Sequence, residues 1–234
     1  CYFMERDLTS GSVFRNVIYF SLPYFLSYFL QTLYGMADLF IVGQFNGVAS
    51  TTAVSIGSQV MHMLTVMIVG LAMGARVSIG QSIGAGDKKR ASVFVGNTVT
   101  LFMGISLVLA VLLLFFVKPI VSVMSTPAEA VSGTAAYLTI CFLGIPFITA
   151  YNVISSIFRG LGDSKSPMYF IAVACAVNII LDYLFIGFFH LGASGAALGT
   201  TLSQACSVLF ALIAIKRKQT GLSLSCLLLR RIIR

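Results

Sequence analysis

The sequence predicts an all-α protein embedded in a membrane, and its composition and hydropathy pattern support this fold class. Of its 234 residues, 58% are hydrophobic and only 9% are charged, and the mean hydropathy is +0.98. A soluble domain carries about 25% charged residues, because it must cover its surface with polar groups. The apolar residues also form runs of about 20 or more, the length that a helix needs to cross about 30 Å of hydrocarbon. Such runs are too long for the strands of a membrane barrel.

The hydrophobic runs predict six membrane-spanning helices. Turn residues separate them: Gly-Ala-Gly-Asp ends the second run, Ser-Thr-Pro follows the third, Gly-Leu-Gly-Asp follows the fourth, and Gly192 divides the last two. The second run is long enough to bend or to project beyond the bilayer. In chain order, the predicted spans are Val17–Val42, Thr52–Ile83, Val93–Val117, Ala135–Phe158, Met168–Phe188 and Ala193–Ile215.

Basic residues predict the orientation of these spans. They follow the second, fourth and sixth spans, at 88–90, at Arg159 and Lys165, and at 216–218. Because such residues concentrate on the cytoplasmic side, we expect a cytoplasmic segment at 1–16, a six-helix lobe at 17–215 and a cytoplasmic connector at 216–234. The protein is then a multi-pass protein of the cytoplasmic membrane, with both termini cytoplasmic and with membrane lipids as partners. Nucleic-acid binding is not predicted, because the sequence shows no basic surface with base-reading groups.

Enzymatic and metal chemistry are not predicted. The sequence has no Ser-His-Asp order, no cluster of metal ligands and no phosphate loop of Walker spacing. Its five cysteines include no CxxC pair, and we expect the three inside spans to be small buried hydrophobic residues. We therefore expect no catalytic residue, no cofactor and no metal beyond a coupling ion, so that an ion gradient supplies the energy for any transport.

Two acidic residues lie inside predicted spans, where a charge is costly and its presence is informative. Gln31, Tyr34 and Asp38 stand at i, i+3 and i+7 on one face of the first span, and Asn178 and Asp182 stand at i and i+4 on one face of the fifth. This pattern predicts two carboxylates at a shared cavity, where they bind a monovalent cation or exchange protons. The alternative is that each carboxylate only joins a hydrogen-bond network between helices.

Other residues inside the spans predict bends and close helix packing. Pro23 removes one backbone hydrogen bond from the first span and predicts a kink, which is either static or a moving hinge. Two pairs of glycines spaced by four, Gly70 with Gly74 and Gly195 with Gly199, predict close approach between helices.

Four stretches of the sequence carry a family resemblance. The first is LQTLYGMADLFIVG at 30–43, the second GQSIGAGD at 80–87, and the third RGLGDSKSP at 159–167. The fourth is NIILD at 178–182, followed by GAALGTTLSQ at 195–204. In this order they resemble the multidrug and toxic compound extrusion (MATE) exporters, specifically the prokaryotic DinF-like branch, over nearly the whole chain from Met4 onward.

The resemblance implies a transporter of twelve helices in two six-helix lobes, with a cleft between them and alternating access driven by Na⁺ or H⁺. This sequence would be the first lobe, and the second lobe is missing from it. The ion-coupling residues implied by the resemblance are Asp38, Asn178, Asp182 and Thr200, which are also the residues for any bound Na⁺. The implied hinge is Pro23, and the substrate-cleft residues are Gln31, Tyr34 and, from its position in the fourth span alone, Asn152.

The predicted function is secondary active efflux of drugs or toxic organic compounds, often cationic, with the second lobe as a partner. One alternative is a lipid-linked oligosaccharide flippase of the same superfamily. Such a flippase handles pyrophosphate head groups and would be expected to carry cationic cavity residues, whereas the charges inside these spans are mainly acidic. A further alternative is a six-helix membrane scaffold that transports nothing, or a half-transporter that dimerises.

Overall fold

Seven α-helices make up the fold in the computed structural model, which describes residues 11–217. They are α1 (Val13–Phe45), α2 (Val48–Gly84), α3 (Lys88–Val123), α4 (Val131–Leu143), α5 (Ile145–Gly160), α6 (Lys165–Asp182) and α7 (Gly192–Arg217). A π-helical segment, Tyr183–Phe188, continues α6 directly. The part of the chain that the structure describes contains no strand, and the prediction of an all-α membrane protein is confirmed.

The predicted spans correspond to these helices, with one difference. Five helices are long and apolar enough to cross a membrane singly, when α6 is counted with its π-helical continuation. The fourth predicted span, Ala135–Phe158, is wrong as one continuous helix, because α4 and α5 meet at a bend of 52°. Counting this bent pair as one span gives the six that were predicted. The first and last predicted segments, 1–16 and 216–234, lie mostly outside the described residues.

The bend between α4 and α5 has a local cause in the residues at their junction. Pro146 stands in the first turn of α5, where it lacks the N–H that would continue the hydrogen-bond ladder of α4. Gly144 lies at the junction itself, and a Cβ there would come within 2.6 Å of Thr201 Cγ2 on α7. The absence of a side chain at Gly144 therefore lets α7 pack directly into the bend.

The largest apolar core joins α2, α4 and α7. Val54, Leu138, Phe142 and Ala196 are fully buried in it. Large apolar side chains on the outside of the lobe remain exposed, such as Phe115 at 79%. A soluble protein would not tolerate so many exposed apolar groups, but lipid or a second lobe can cover them.

The basic loops gather at one end of the helix bundle. At this end Lys165 Nζ lies 3.0 Å from Tyr19 Oη near the start of α1. Near the same end, a Cβ on Gly160 would lie 2.9 Å from the backbone oxygen of Arg76. Gly86 and Gly162 close the two turns there with positive φ angles of 75° and 86°, which favour glycine. The loops that follow the second and fourth spans therefore share one side of the lobe.

Candidate ion-binding site

Four acidic residues in the described part of the chain are either helix caps or buried groups, and a fifth, Glu129, lies in an exposed turn. Asp87 caps α3, because its Oδ1 accepts a hydrogen bond from Arg90 N at 2.9 Å. Asp163 accepts hydrogen bonds at 3.0 Å from the backbone N–H groups of Lys165 and Ser166, at the start of α6. Both residues therefore have a structural function at the basic end of the lobe. Asp38 and Asp182 have no such local function and remain the candidates for chemistry.

Asp38 and Asp182 come together because α1 and α7 both pack against α6. Asp38 lies in the second half of α1 and is 5% exposed, and Asp182 is the last residue of α6 and fully buried. Asp182, Asn178 and Thr200 all adjoin the Asp38 side chain. Thr200 Oγ1 donates a hydrogen bond to Asp38 Oδ2 at 3.3 Å. The four predicted ion-coupling residues thus form one cluster, which we call the acid cluster, and their ionic role remains a prediction.

Several polar atoms of the acid cluster are buried without a hydrogen-bond partner among residues 11–217. They are Asp38 Oδ1, both carboxylate oxygens of Asp182 and both polar atoms of the Asn178 amide. Buried polar atoms are normally paired, and an unpaired charge is especially costly. Two adjacent carboxylates also repel each other when both are charged. A proton or a monovalent cation between them relieves both costs, and oxygen ligands are those that hard cations prefer.

Tyr34 lies beside the acid cluster. Its hydroxyl is buried and lies beside the Thr200 side chain, one turn before Asp38 on α1. Tyr137 and Cys141, one turn apart on α4, lie close to Asp38. Sequence reasoning missed these two residues, although their i, i+4 spacing in an apolar span was a usable signal.

The other predicted site residues lie apart from these contacts. Gln31 is half-buried on α1, and Asn152 is buried on α5, where its Nδ2 donates to the backbone oxygen of Ile148 at 2.8 Å. Pro23 lies within α1 without ending the helix, and Ser27 Oγ donates to its carbonyl oxygen at 2.8 Å. The Asn152 amide is therefore hydrogen-bonded to its own helix. The cleft roles of Gln31 and Asn152 and the hinge role of Pro23 stay predictions.

The half of α1 that contains Pro23 is held by cationic side chains from other helices. The guanidinium of Arg159 lies 4.4 Å from the ring centre of Tyr24, a cation–π contact. Arg76 Nη1 donates to Tyr24 Oη at 3.5 Å. Sequence reasoning did not anticipate this cluster, because it joins α1, α2 and α5 across long separations in the chain.

Comparison with known proteins places this arrangement in a family. The MatE family model matches residues 23–184, which include Asp38, Asn178 and Asp182. The chain belongs to the MatE family. The resemblance of the sequence to the MATE exporters is thereby confirmed at the level of the family.

Individual relatives agree with this membership. The probable multidrug resistance protein YpnP of Bacillus subtilis (strain 168) is 32% identical over 219 residues, which are 93% of this chain and 49% of YpnP. The multidrug export protein MepA of Staphylococcus haemolyticus (strain JCSC1435) is 29% identical over 213 residues, which are 91% of this chain and 47% of MepA. The chain therefore spans about half the length of these relatives.

A solved structure of a multidrug resistance MATE family transporter of the MOP superfamily, in an outward-facing conformation, has the same fold. It superimposes with a TM-score of 0.81 at 28% identity, over 86% of this chain and 44% of the other. The described helices thus correspond to less than half of that transporter.

Proposed function

We propose that this chain is the N-terminal six-helix lobe of a secondary active exporter of drugs or toxic organic compounds. Export is coupled to H⁺ or Na⁺ antiport by alternating access, without nucleotide hydrolysis or an organic cofactor. The acid cluster is the observation that carries this proposal. It unites two buried carboxylates from different helices and leaves oxygens of both unpaired. The names of the matched relatives, multidrug resistance and multidrug export proteins, support the choice of substrate.

Coupling follows from the position of the acid cluster on α1. Asp38 and Pro23 lie on the same helix, in its second and first halves. A bound proton or cation removes the repulsion between Asp38 and Asp182, and it therefore favours whichever arrangement of α1 keeps the two carboxylates together. If the substrate prefers the other arrangement, ion and substrate expel each other, as antiport requires. We propose Pro23 as the hinge, and Gln31, Tyr34 and Asn152 as residues of the substrate cleft.

The function is tested by dye efflux from liposomes that contain the full-length protein. We expect efflux of an organic cation such as ethidium only when a gradient is imposed, because the chain supplies the ion site for coupling. A sodium gradient at constant pH and a pH gradient without sodium identify the ion. Efflux that is equally fast with neither gradient would contradict coupled export.

A Pro23→Ala variant in the same liposomes tests the hinge. Slower gradient-driven efflux at equal protein content supports a moving α1, because alanine restores the missing backbone hydrogen bond and stiffens the helix. Efflux equal to that of the unmodified protein would leave Pro23 as a static bend.

Orientation in the membrane is proposed from the basic loops, with both termini cytoplasmic. Glu129 lies in an exposed turn between α3 and α4, and Lys89 lies in the first turn of α3. In a protein whose native cysteines are replaced, Glu129→Cys should react with an impermeant maleimide from outside the cell. Lys89→Cys should react only after the membrane is opened, and the reverse pattern would overturn the orientation.

A further inference from the structure

The two glycine pairs predicted to mark close packing behave differently. A Cβ on Gly70 or Gly74 would meet nothing within 4 Å in the described part of the chain, so the prediction of close packing is wrong for this pair within the lobe. A Cβ on Gly195 or Gly199 would meet neighbours on the preceding helix. At this second pair α7 approaches α6 and its π-helical continuation closely, as predicted.

The neighbours of Gly195 and Gly199 differ in chemistry. A Cβ on Gly195 would lie 3.2 Å from each of Ile186 Cγ1, Leu191 Cβ and the backbone carbonyl carbon of Phe185, which are close contacts with carbon atoms and with no charged group. A Cβ on Gly199 would instead collide with Asp182 Oδ1 and lie 3.3 Å from Asp182 Cγ. It would also lie 3.5 Å from Asn178 Nδ2. One glycine of the pair therefore faces an apolar wall, and the other faces the acid cluster.

The Asp182 carboxylate has little freedom to avoid such a side chain. It is fully buried, and its short side chain has few staggered alternatives on a helix. Asp182 also stands directly before the π-helical segment Tyr183–Phe188, a type of irregularity that is frequent at functional sites. Neither of its oxygens accepts a hydrogen bond of regular geometry within residues 11–217, although Asn178 and Asp38 adjoin it, so the space around the carboxylate contributes to its orientation.

We propose that Gly199 is a positioning residue of the acid cluster. By lacking a side chain, it leaves the space in which the Asp182 carboxylate and the Asn178 amide face Asp38. Its neighbour Thr200 donates to Asp38 from the same turn of α7. This turn of α7 therefore places the Thr200 hydroxyl in the site and, at Gly199, leaves space for the Asp182 carboxylate. The inference rests on the proposed ion-coupling function for its consequence in transport, but the contact between Gly199 and Asp182 is independent of it.

A double-mutant cycle on the purified full-length protein tests the contact. We expect Gly199→Ala to lower the melting temperature when Asp182 is present and to have little effect when Asp182 is replaced by Ala, because the colliding atoms are then gone. Gly195→Ala is the matched control on the same helix, and its effect should add to that of Asp182→Ala. Additive effects of Gly199→Ala and Asp182→Ala would overturn the proposal. If Gly199→Ala fails to fold, recovery of folded protein in the double variant supports the proposal, and failure of the double variant while Asp182→Ala alone folds overturns it.

A second readout separates positioning of the ion site from simple packing. The melting temperature is measured against NaCl, with KCl at equal ionic strength as reference, and against pH. We expect the midpoint of the sodium or proton response to shift about tenfold or more in Gly199→Ala, and to stay unchanged in Gly195→Ala. An unshifted midpoint in Gly199→Ala would overturn the positioning role. If the unmodified protein responds to neither ion, the proposed ion coupling fails, whereas the double-mutant cycle still decides the contact.

Discussion

Asp182→Asn and Asp38→Asn are each expected to abolish gradient-driven export by the full-length protein. Asparagine keeps the shape of aspartate but cannot carry the charge that binds a cation or releases a proton. A carboxylate and its bound cation form a buried pair of opposite charges, and removing one partner of such a pair costs about 2–5 kcal/mol, which is on the order of 30-fold or more in affinity. The measurement is dye efflux from liposomes under the sodium or pH gradient that drives the unmodified protein.

The matched control is Asp87→Asn. Asp87 is an exposed cap of α3, and asparagine caps a helix about as well as aspartate does. It should therefore export normally. The amount of each variant in the membrane has to be measured as well, because loss of a buried hydrogen-bond partner can unfold the bundle instead. Full transport by both buried variants would leave Asp38 and Asp182 as structural contacts between helices.

Much of this fold could be predicted because membrane spans are a property of composition. Each hydrophobic run exceeds the thickness of the hydrocarbon layer, so neither tertiary contacts nor exact helix ends matter to the prediction. The bend at Gly144 was not predicted, because the hydropathy of a span is the same whether its helix is straight or bent. Its signals were Gly144 and Pro146, which are common in membrane helices that do not break.

The candidate site was predictable within each helix but not between helices. Helical spacing placed Tyr34 beside Asp38 and Asn178 beside Asp182, because the members of each pair are four residues, or about one helical turn, apart. Tyr137 was missed because its place beside the cluster depends on how α4 packs against the other helices. A buried role was also wrong for Cys206, which is exposed, whereas Cys141 and Cys175 are buried as expected.

Spacing alone could not distinguish the two glycine pairs. Both pairs are spaced by four, yet a Cβ at Gly74 would be in open space and a Cβ at Gly199 would collide with a carboxylate. The difference lies in what the neighbouring helix presents at that depth, which is a tertiary property. Small residues at this spacing therefore permit close approach without specifying it.

The 234-residue chain expressed alone is expected to insert into membranes without exporting drugs. Alternating access needs two bodies that move against each other, and the chain spans only about half the length of its matched relatives, 49% of YpnP for example. We therefore propose a second six-helix lobe as the partner that forms the other wall of the cleft. Cells that express the lobe alone, and cells that express it joined to that second lobe, are compared for ethidium export at equal membrane abundance. Export should return only with the second lobe, and the size of the detergent-purified lobe shows whether it self-associates. Robust export by the lobe alone, as a dimer, would replace the two-lobe proposal with a half-transporter in which two copies of the acid cluster face one cleft.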